Sequence, residues 1–575
     1  MNDWLIGTIE FVNQKIIEFS TSITDLGAHI DDGHILETQG LNDFVYTKLT
    51  FEEYAIFKVI KIRNSLYDKN NEQNSIPQYN KIIITAVPIG VLDSKKFTPG
   101  FIHYPMVGQN VYGMSPTEVQ KLFNNYKNTI SIGKLNNYEE VEPKINLDSI
   151  FTNHWAILGN TGSGKSTTLR KILTKIHEQK AKLKKNVRFY VLDLHGDYSQ
   201  LGFGENVDIK DMHIPLENLT SEDWEAALLP SDRTQKPLLD RILKIAQVDS
   251  DYYKYIYACL ALKAISDSSQ DSFVMLRRNV QKLIELISDE ELSDSFEEWH
   301  VKYSDEFNRD KLIKKLNIYL SQYEDANISV SVDQIIENQK CNTFTIDDMD
   351  KSFEIAVIEE EISGNRNIRQ NIQTMYSRFQ NLKMKYKDDL LGNNGEEISI
   401  NSLKKKDNFI ILNLCNLDDD ALRLVSNYLV RSLFNLHTQI ELGNKEKKFS
   451  YIFLDEAHRY IKESPSLETT IFDRVAREGR KFNLYLCILS QIPSELSRVV
   501  LSQCGVYFIH RIQNANDLEF IAHNVPSASQ DILDRLKSLP AGVTIVSGSA
   551  IDFPIEISVD AKELSKISES ESPFK

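Results

Sequence analysis

The stretch ILGNTGSGKSTTLRKIL, residues 157–173, decides the fold. Its apolar start reads as the end of a buried strand, and its Lys-Ser-Thr-Thr end as the first turn of a helix. Between them Gly159-Asn160-Thr161-Gly162-Ser163-Gly164-Lys165-Ser166 fits the pattern G-x-x-x-x-G-K-[ST]. Glycines here admit backbone conformations in which successive N–H groups turn inward and wrap a phosphate. The helix that follows aims the positive end of its dipole at the same point. The segment from Gly159 to Thr167 is therefore the expected nucleotide-binding element. Lys165 is placed to reach the β- and γ-phosphates of ATP, and the Ser166 hydroxyl to take a position on Mg2+.

Outward from this loop, short apolar runs alternate with helical sequence. HWAILGN (154–160), NVRFYVLDLHGDY (186–198), NFIILNLCNL (408–417), SYIFLDEAHRY (450–460), NLYLCILSQ (483–491) and VYFIHRI (506–512) read as buried strands. Strand and helix in alternation imply a parallel α/β sheet. Residues 218–345 interrupt it with helical sequence. In SFVMLRRNVQKLIELI, Phe273, Leu276, Val280, Leu283, Ile284 and Ile287 share one helix face, and Leu312, Ile313, Leu316, Tyr319 and Leu320 repeat the pattern. These stripes read as core without chemistry. Before residue 140, IGTIEFVN, KIIEFSTS, YAIFKVIKI and KIIITAVPIGVL are short β-branched segments; a small β-barrel and a sandwich both fit their spacing.

A phosphate loop needs an acid at the tip of a neighbouring strand. YIFLDEAHRY supplies Asp455, a second expected Mg2+ residue beside Ser166, and Glu456, expected to orient and polarise the attacking water. The letters D-E-A-H invite a reading as a DEAH-box RNA helicase, which the rest of the sequence opposes. Those helicases place the box much closer to the phosphate loop, and neither S-A-T nor Q-x-x-G-R-x-G-R follows it here. An L-S-G-G-Q element, the mark of a transporter ATPase, is also lacking. Gln491 ends the strand NLYLCILSQ and is the candidate sensor of the γ-phosphate. Arg474, Arg477, Arg480 and Lys481 form a basic helix end, read either as a solvated surface or as an arginine finger completing a neighbouring subunit's site.

The 575 residues carry a net charge of −16, so no global field draws nucleic acid to the chain, and any DNA contact must be local. The five cysteines are scattered without a CxxC pair, which argues against a disulfide framework or zinc site and fits a cytoplasmic protein. The N-terminus lacks the features of a signal peptide, and no apolar run reaches the roughly 20 residues of a membrane helix, so no membrane association is expected.

AILGNTGSGKST, DLHGDYS, DEAHRY, AREGRKFNLYLCILSQIPSEL, VLSQCG and LPAGVTIVSGSA, in that order, resemble the HerA-type ATPases, bacterial and archaeal relatives of the FtsK DNA pumps. The resemblance covers most of residues 150–550. It implies an α/β fold, a RecA-like P-loop core with a helical insertion, preceded by a small N-terminal β-barrel. The corresponding divisions are a barrel at 1–140, a core at 141–217 and 346–550, an insertion at 218–345 and a C-terminal extension at 551–575. It further implies a homo-hexameric ring that hydrolyses ATP at subunit interfaces, with double-stranded DNA in the pore. The interface arginine would come from REGRK, Arg480 first and Arg477 second. HerA-like proteins also work beside a separate effector, a nuclease or a sirtuin-type NAD-consuming enzyme, in DNA-end processing or phage defence, and the barrel is the expected docking surface. The alternative is a nucleotide-switched ring scaffold that activates the effector without sustained translocation. One departure stands out: Asn153 occupies the position before HWAILGN where the family pattern leads one to expect a basic residue.

Overall fold

The computed structural model describes residues 4–22, 29–31, 34–36, 40–50, 52–64, 81–93, 96–184, 186–266, 273–300, 306–323, 330–392, 396–398, 407–443, 446–461 and 469–560. It divides into two compact units, one of residues 1–207, 406–415 and 433–575, the other of 208–405 and 416–432.

In the first unit, alternating apolar residues turn one face of each N-terminal strand inward. The strands are β1 (Leu5–Val12), β2 (Ile17–Ser22), β3 (Phe44–Lys48), β4 (Tyr54–Asn64), β5 (Lys81–Leu92) and β6 (Asn110–Gly113). Each pairs antiparallel with its neighbours in the order β2-β1-β6-β3-β4-β5. A further antiparallel ladder between β2 and β5, with Ile17 opposite Ala86, closes the ring. The expected barrel is therefore a closed six-stranded one, not a sandwich. Trp4, Ile6, Phe19, Phe57, Ile84 and Val111 fill it.

The same unit holds a ten-stranded sheet. Its strands are β7 (Gly133–Leu135), β8 (His154–Leu158), β9 (Val187–Asp193), β10 (Glu205–Asp208), β11 (Phe409–Asn413), β12 (Phe449–Leu454), β13 (Leu484–Ser490), β14 (Cys504–Ile509), β15 (Val543–Gly548) and β16 (Ile555–Val559). Their order is β7-β16-β15-β14-β8-β13-β12-β9-β11-β10. From β14 to β11 the pairings are parallel, whereas β15, β16 and β7 add antiparallel edges. Strands β8 and β13 are buried at every residue, which is why they read as unbroken apolar runs. Because β16 pairs with β15, the core sheet continues past residue 551, where the sequence suggested an extension; residues 561–575 lie outside the described residues.

The second unit is helical. Val280, Leu283, Ile284 and Ile287 are buried, as are Leu312, Leu316 and Leu320, in line with the helical stripes. Leu276, Ile313 and Tyr319 are half-buried, and the side chain of Phe273 lies outside the described residues. The unit extends beyond residue 345. Helices Ile346–Ile362 and Gln373–Tyr386 bury Met349, Phe353, Met375 and Phe379, with the Phe353 and Phe379 rings 4.6 Å apart, so the chain returns to the sheet only near β11. The five cysteines are free, and among the described residues no helix is long and apolar enough to cross a membrane.

Candidate functional site

Parallel pairing of β8 with both β13 and β14 brings their carboxyl ends together, and the conserved geometry of such sheets puts binding sites at that edge. The loop 159–164 leaves β8 there and enters helix α1 (Lys165–Glu178). Gly159, Gly162 and Gly164 have φ of 154°, 68° and 112°, conformations that only glycine adopts without strain. The Gly159 amide donates to the Ser490 carbonyl (3.2 Å) and the Asn160 amide to the Arg511 carbonyl (3.0 Å), which fixes the loop to β13 and to the residues after β14. Thr161 and Gly162 are exposed at its tip, Asn160, Gly164, Ser166 and Thr167 are half-buried, and Ser163 and Lys165 are buried. The Lys165 ammonium donates to the Asn160 carbonyl at 3.1 Å. Burial lowers its pKa, and the charges of Glu456 and Asp455 work against that.

The acidic pair follows β12. Asp455 is buried, and its pKa is raised to about 7, by burial first and by neighbouring Glu456 second. Glu456 sits at φ 46°, a left-handed conformation uncommon outside glycine. Burial alone would raise its pKa; hydrogen bonds from His195 and Gln491 and the charge of Lys165 hold it below the ordinary value. The Gln491 amide donates to Glu456 Oε1, and Gln491 Oε1 accepts from the Thr161 hydroxyl. His195 Nε2 lies 3.7 Å from Glu456 Oε1, and His458 Nδ1 lies 3.4 Å from Glu456 Oε2. The pKa of His195 is raised, chiefly by the Glu456 carboxylate beside it.

The sequence offers His195, within DLHGDYS, no more than support at the edge of the site, and His458 no role. DLHGDYS places His195 at the tip of β9, beside β12, and the reason is its turn. Asp193 accepts backbone N–H bonds from His195 (3.3 Å), Gly196 (2.8 Å), Asp197 (3.1 Å) and Tyr198 (3.0 Å), so this buried carboxylate organises the turn. Asp197 in turn offers its carbonyl to Arg170 Nε of α1 at 2.8 Å. Tyr198 is fully buried, with a pKa well above the ordinary value through burial and the fields of Asp455, Asp197 and Asp193, and with the Ser166 hydroxyl beside it.

The donors fit a magnesium nucleotide. Ser163 Oγ and Asp455 Oδ2 are buried without a hydrogen-bond partner, and a Cβ added at Gly162 would meet nothing within 4 Å. Among the described residues no group of three or more His, Cys, Asp or Glu forms a metal centre, so a cation held by Ser166 and Asp455 would draw its other ligands from phosphate and water.

The basic element lies elsewhere. Arg477 lies in the last turn of the helix Ile471–Glu478, Arg480 follows it, and both are exposed. Arg480 precedes β13 and Gln491 follows it, so the seven residues of the strand separate them by roughly 20 Å. Its charge is felt by His154, the first residue of β8, whose pKa is lowered to about 4 by burial and then by Arg480. Asn153 also stands at the far end of β8, just before its first residue and away from the loop. It is a packing residue, donating to the Ser149 carbonyl (2.8 Å) and Ser549 Oγ (3.2 Å).

A parallel sheet whose central strand ends in this cradle, with an acidic pair on a nearby strand, defines a P-loop ATPase. The family model described as the central domain of helicase HerA matches residues 130–337. The chain is 24% identical to a probable helicase of Methanocaldococcus jannaschii over 97% of this chain and 96% of that protein. It is 23% identical to the DNA double-strand break repair helicase HerA of Sulfurisphaera tokodaii over 97% of this chain and 88% of that one. Among solved structures, VirB4 of Thermoanaerobacter pseudethanolicus aligns with 76% of this chain and 98% of its own at 15% identity and a TM-score of 0.39. The chain is a P-loop ATPase that is similar to the HerA helicases over most of its length.

Proposed function

We propose that this ATPase is a ring-shaped motor, a homo-hexamer that moves along double-stranded DNA and acts with a separate effector enzyme. The similarity to a relative named as a DNA double-strand break repair helicase supports the DNA substrate. Magnesium-bound ATP supplies the phosphoanhydride and neutralises part of its own charge. The amides of Gly159 to Ser166 and the Lys165 ammonium would grip the phosphates, and Ser166 and Asp455 would hold the cation. Glu456 orients a water molecule and takes its proton as the oxygen attacks the γ-phosphorus and the bond to the β–γ bridging oxygen breaks, releasing ADP and phosphate, while Gln491 reports on the γ-phosphate. Arg480, or failing it Arg477, stabilises the transition state of the neighbouring protomer. One observation carries this reading: Arg480 lies at the opposite end of β13 from Gln491, too far to serve its own phosphate loop. The direct test is ATPase activity with and without duplex DNA. DNA stimulation is expected, and hydrolysis indifferent to DNA would overturn the motor.

The net charge of −16 favours a second reading, a ring that holds the effector in register and switches it by nucleotide state. The effector would be a nuclease or a sirtuin-type NADase, docked on the barrel, in phage defence or DNA-end processing. Effector activity that survives in a Glu456→Ala ring would select the scaffold; activity lost with turnover would select the motor.

A further inference from the structure

We infer that His510 is the positioning residue of the phosphate loop, a fully buried imidazole that fixes the loop from beneath and so sets its affinity for nucleotide. It follows β14 and is completely shielded from solvent. Its backbone amide donates to the Leu158 carbonyl at 2.8 Å, where β8 ends and the loop begins. Its Nε2 lies 3.0 Å from the hydroxyl of Thr168, a buried residue in the first turn of α1, whose own amide donates to the Gly164 carbonyl at 2.9 Å. Strand end, loop and helix start are thereby tied to one residue, the strand end through its backbone and the helix start through its ring.

The glycines show how closely the ring fits. A Cβ added at Gly159 would lie 2.6 Å from His510 Cβ, and one added at Gly164 would lie 3.3 Å from His510 Cε1. His510 thus lies under both glycine ends of the cradle, with its Cα and Cβ below Gly159 and its ring below Gly164, while Thr161 and Gly162 stay open above. The ring is also neutral. Burial pushes its pKa down to about 3, and the nearby charge of Lys165 adds to the effect. A neutral ring spares Lys165 the repulsion of a second buried cation beside it. Position 510 has to combine the volume of a ring, a polar atom facing Thr168 and no charge, and histidine buried this deeply meets all three conditions.

The inference rests on the phosphate-loop reading of residues 159–166, so its test includes Lys165→Ala as a control on the full-length protein. The probe is a fluorescent ADP analogue with Mg2+, alongside ATPase kinetics. Thr168→Val removes the hydroxyl at nearly constant volume, His510→Leu fills the floor without a polar atom, and His510→Gln returns an amide near the Nε2 position. Loss of one buried hydrogen bond predicts that Thr168→Val and His510→Leu each raise the Kd about tenfold. The double variant is expected to be no weaker than the worse single one, because both remove the same interaction. His510→Gln should recover most of the affinity, and KM for ATP should rise by a larger factor than kcat falls. Folded Thr168→Val protein that binds the probe as tightly as the parent would overturn the inference, and it decides the matter even where His510→Leu does not fold. Affinity that merely tracks the melting temperature across all three variants would overturn it as well. Unchanged binding by Lys165→Ala would instead sink the phosphate-loop reading.

Discussion

The side chain of Gln491 stands between Thr161 and Glu456, accepting from the hydroxyl of the first and donating to the carboxylate of the second. A residue at the tip of β13 thereby links the phosphate loop to the acid expected to prepare water for attack. A γ-phosphate arriving at the loop would compete for Thr161 and Gln491, and Glu456 would be freed or redirected in consequence. Gln491→Leu should keep the Kd for ADP within about twofold while lowering kcat by roughly tenfold to a hundredfold, the range expected of one lost transition-state interaction. Steady-state kinetics with a parallel ADP titration checks this. A loss of ADP affinity as large as the loss of kcat would mean that Gln491 shapes the loop instead of sensing its occupant.

Lys165 and Glu456 divide binding from chemistry. Lys165 faces the loop, and Lys165→Ala is expected to abolish nucleotide binding. Glu456→Ala leaves the cradle whole, so it should still bind nucleotide while turnover falls by about a hundredfold or more, the size expected when a general base is removed. Normal turnover by Glu456→Ala would transfer the base role elsewhere, with His195 and His458, on either side of that carboxylate, the next residues to change.

How much of this was legible in the sequence depended on whether a feature is local. The phosphate loop, its flanking strand and helix, and Asp455-Glu456 are local patterns, and each lies where its pattern pointed. The barrel was legible as strands, but its closure depends on pairing Ile17 with Ala86, a long-range register that alternation alone does not select. The histidines were hidden for the same reason. His195 reaches Glu456 from the end of β9 and His510 reaches the loop from the end of β14, and only the order of the parallel sheet makes them neighbours. The boundary near 346 was misplaced because an amphipathic helix looks alike whichever core it covers, and the helices holding Met349 and Phe379 pack into the helical unit.

Two glycines of the loop should respond differently to the same methyl group. At Gly159 a Cβ would come within 2.6 Å of His510 Cβ and 2.7 Å of Ser163 Oγ, so the backbone at the end of β8 must move. At Gly162 a Cβ would meet nothing within 4 Å, and the left-handed conformation at φ 68° costs an alanine only about 1–2 kcal/mol. Thermal unfolding should show Gly159→Ala melting well below Gly162→Ala. Equal melting temperatures would mean that the floor under Gly159 yields more easily than its packing suggests.

The separation of Arg480 from its own loop gives the last prediction. Arg480 is exposed at the amino end of β13, whereas the phosphate loop follows the carboxyl end of the adjacent β8, so an Arg480→Ala subunit retains an intact loop, Asp455 and Glu456. A Lys165→Ala subunit has the reverse defect, a damaged loop and an intact arginine. Each is expected to assemble and hydrolyse ATP poorly by itself, since an arginine acting in trans contributes about a thousandfold or more to turnover. When the two are mixed and allowed to exchange subunits, every interface that joins a sound loop to a sound arginine becomes active. Activity should rise with the fraction of mixed rings and peak near equal proportions. If activity stays at the sum of the two inactive parents after subunit exchange is confirmed, Arg480 does not act in trans, and the same mixture made with Arg477→Ala asks the question of the other exposed arginine.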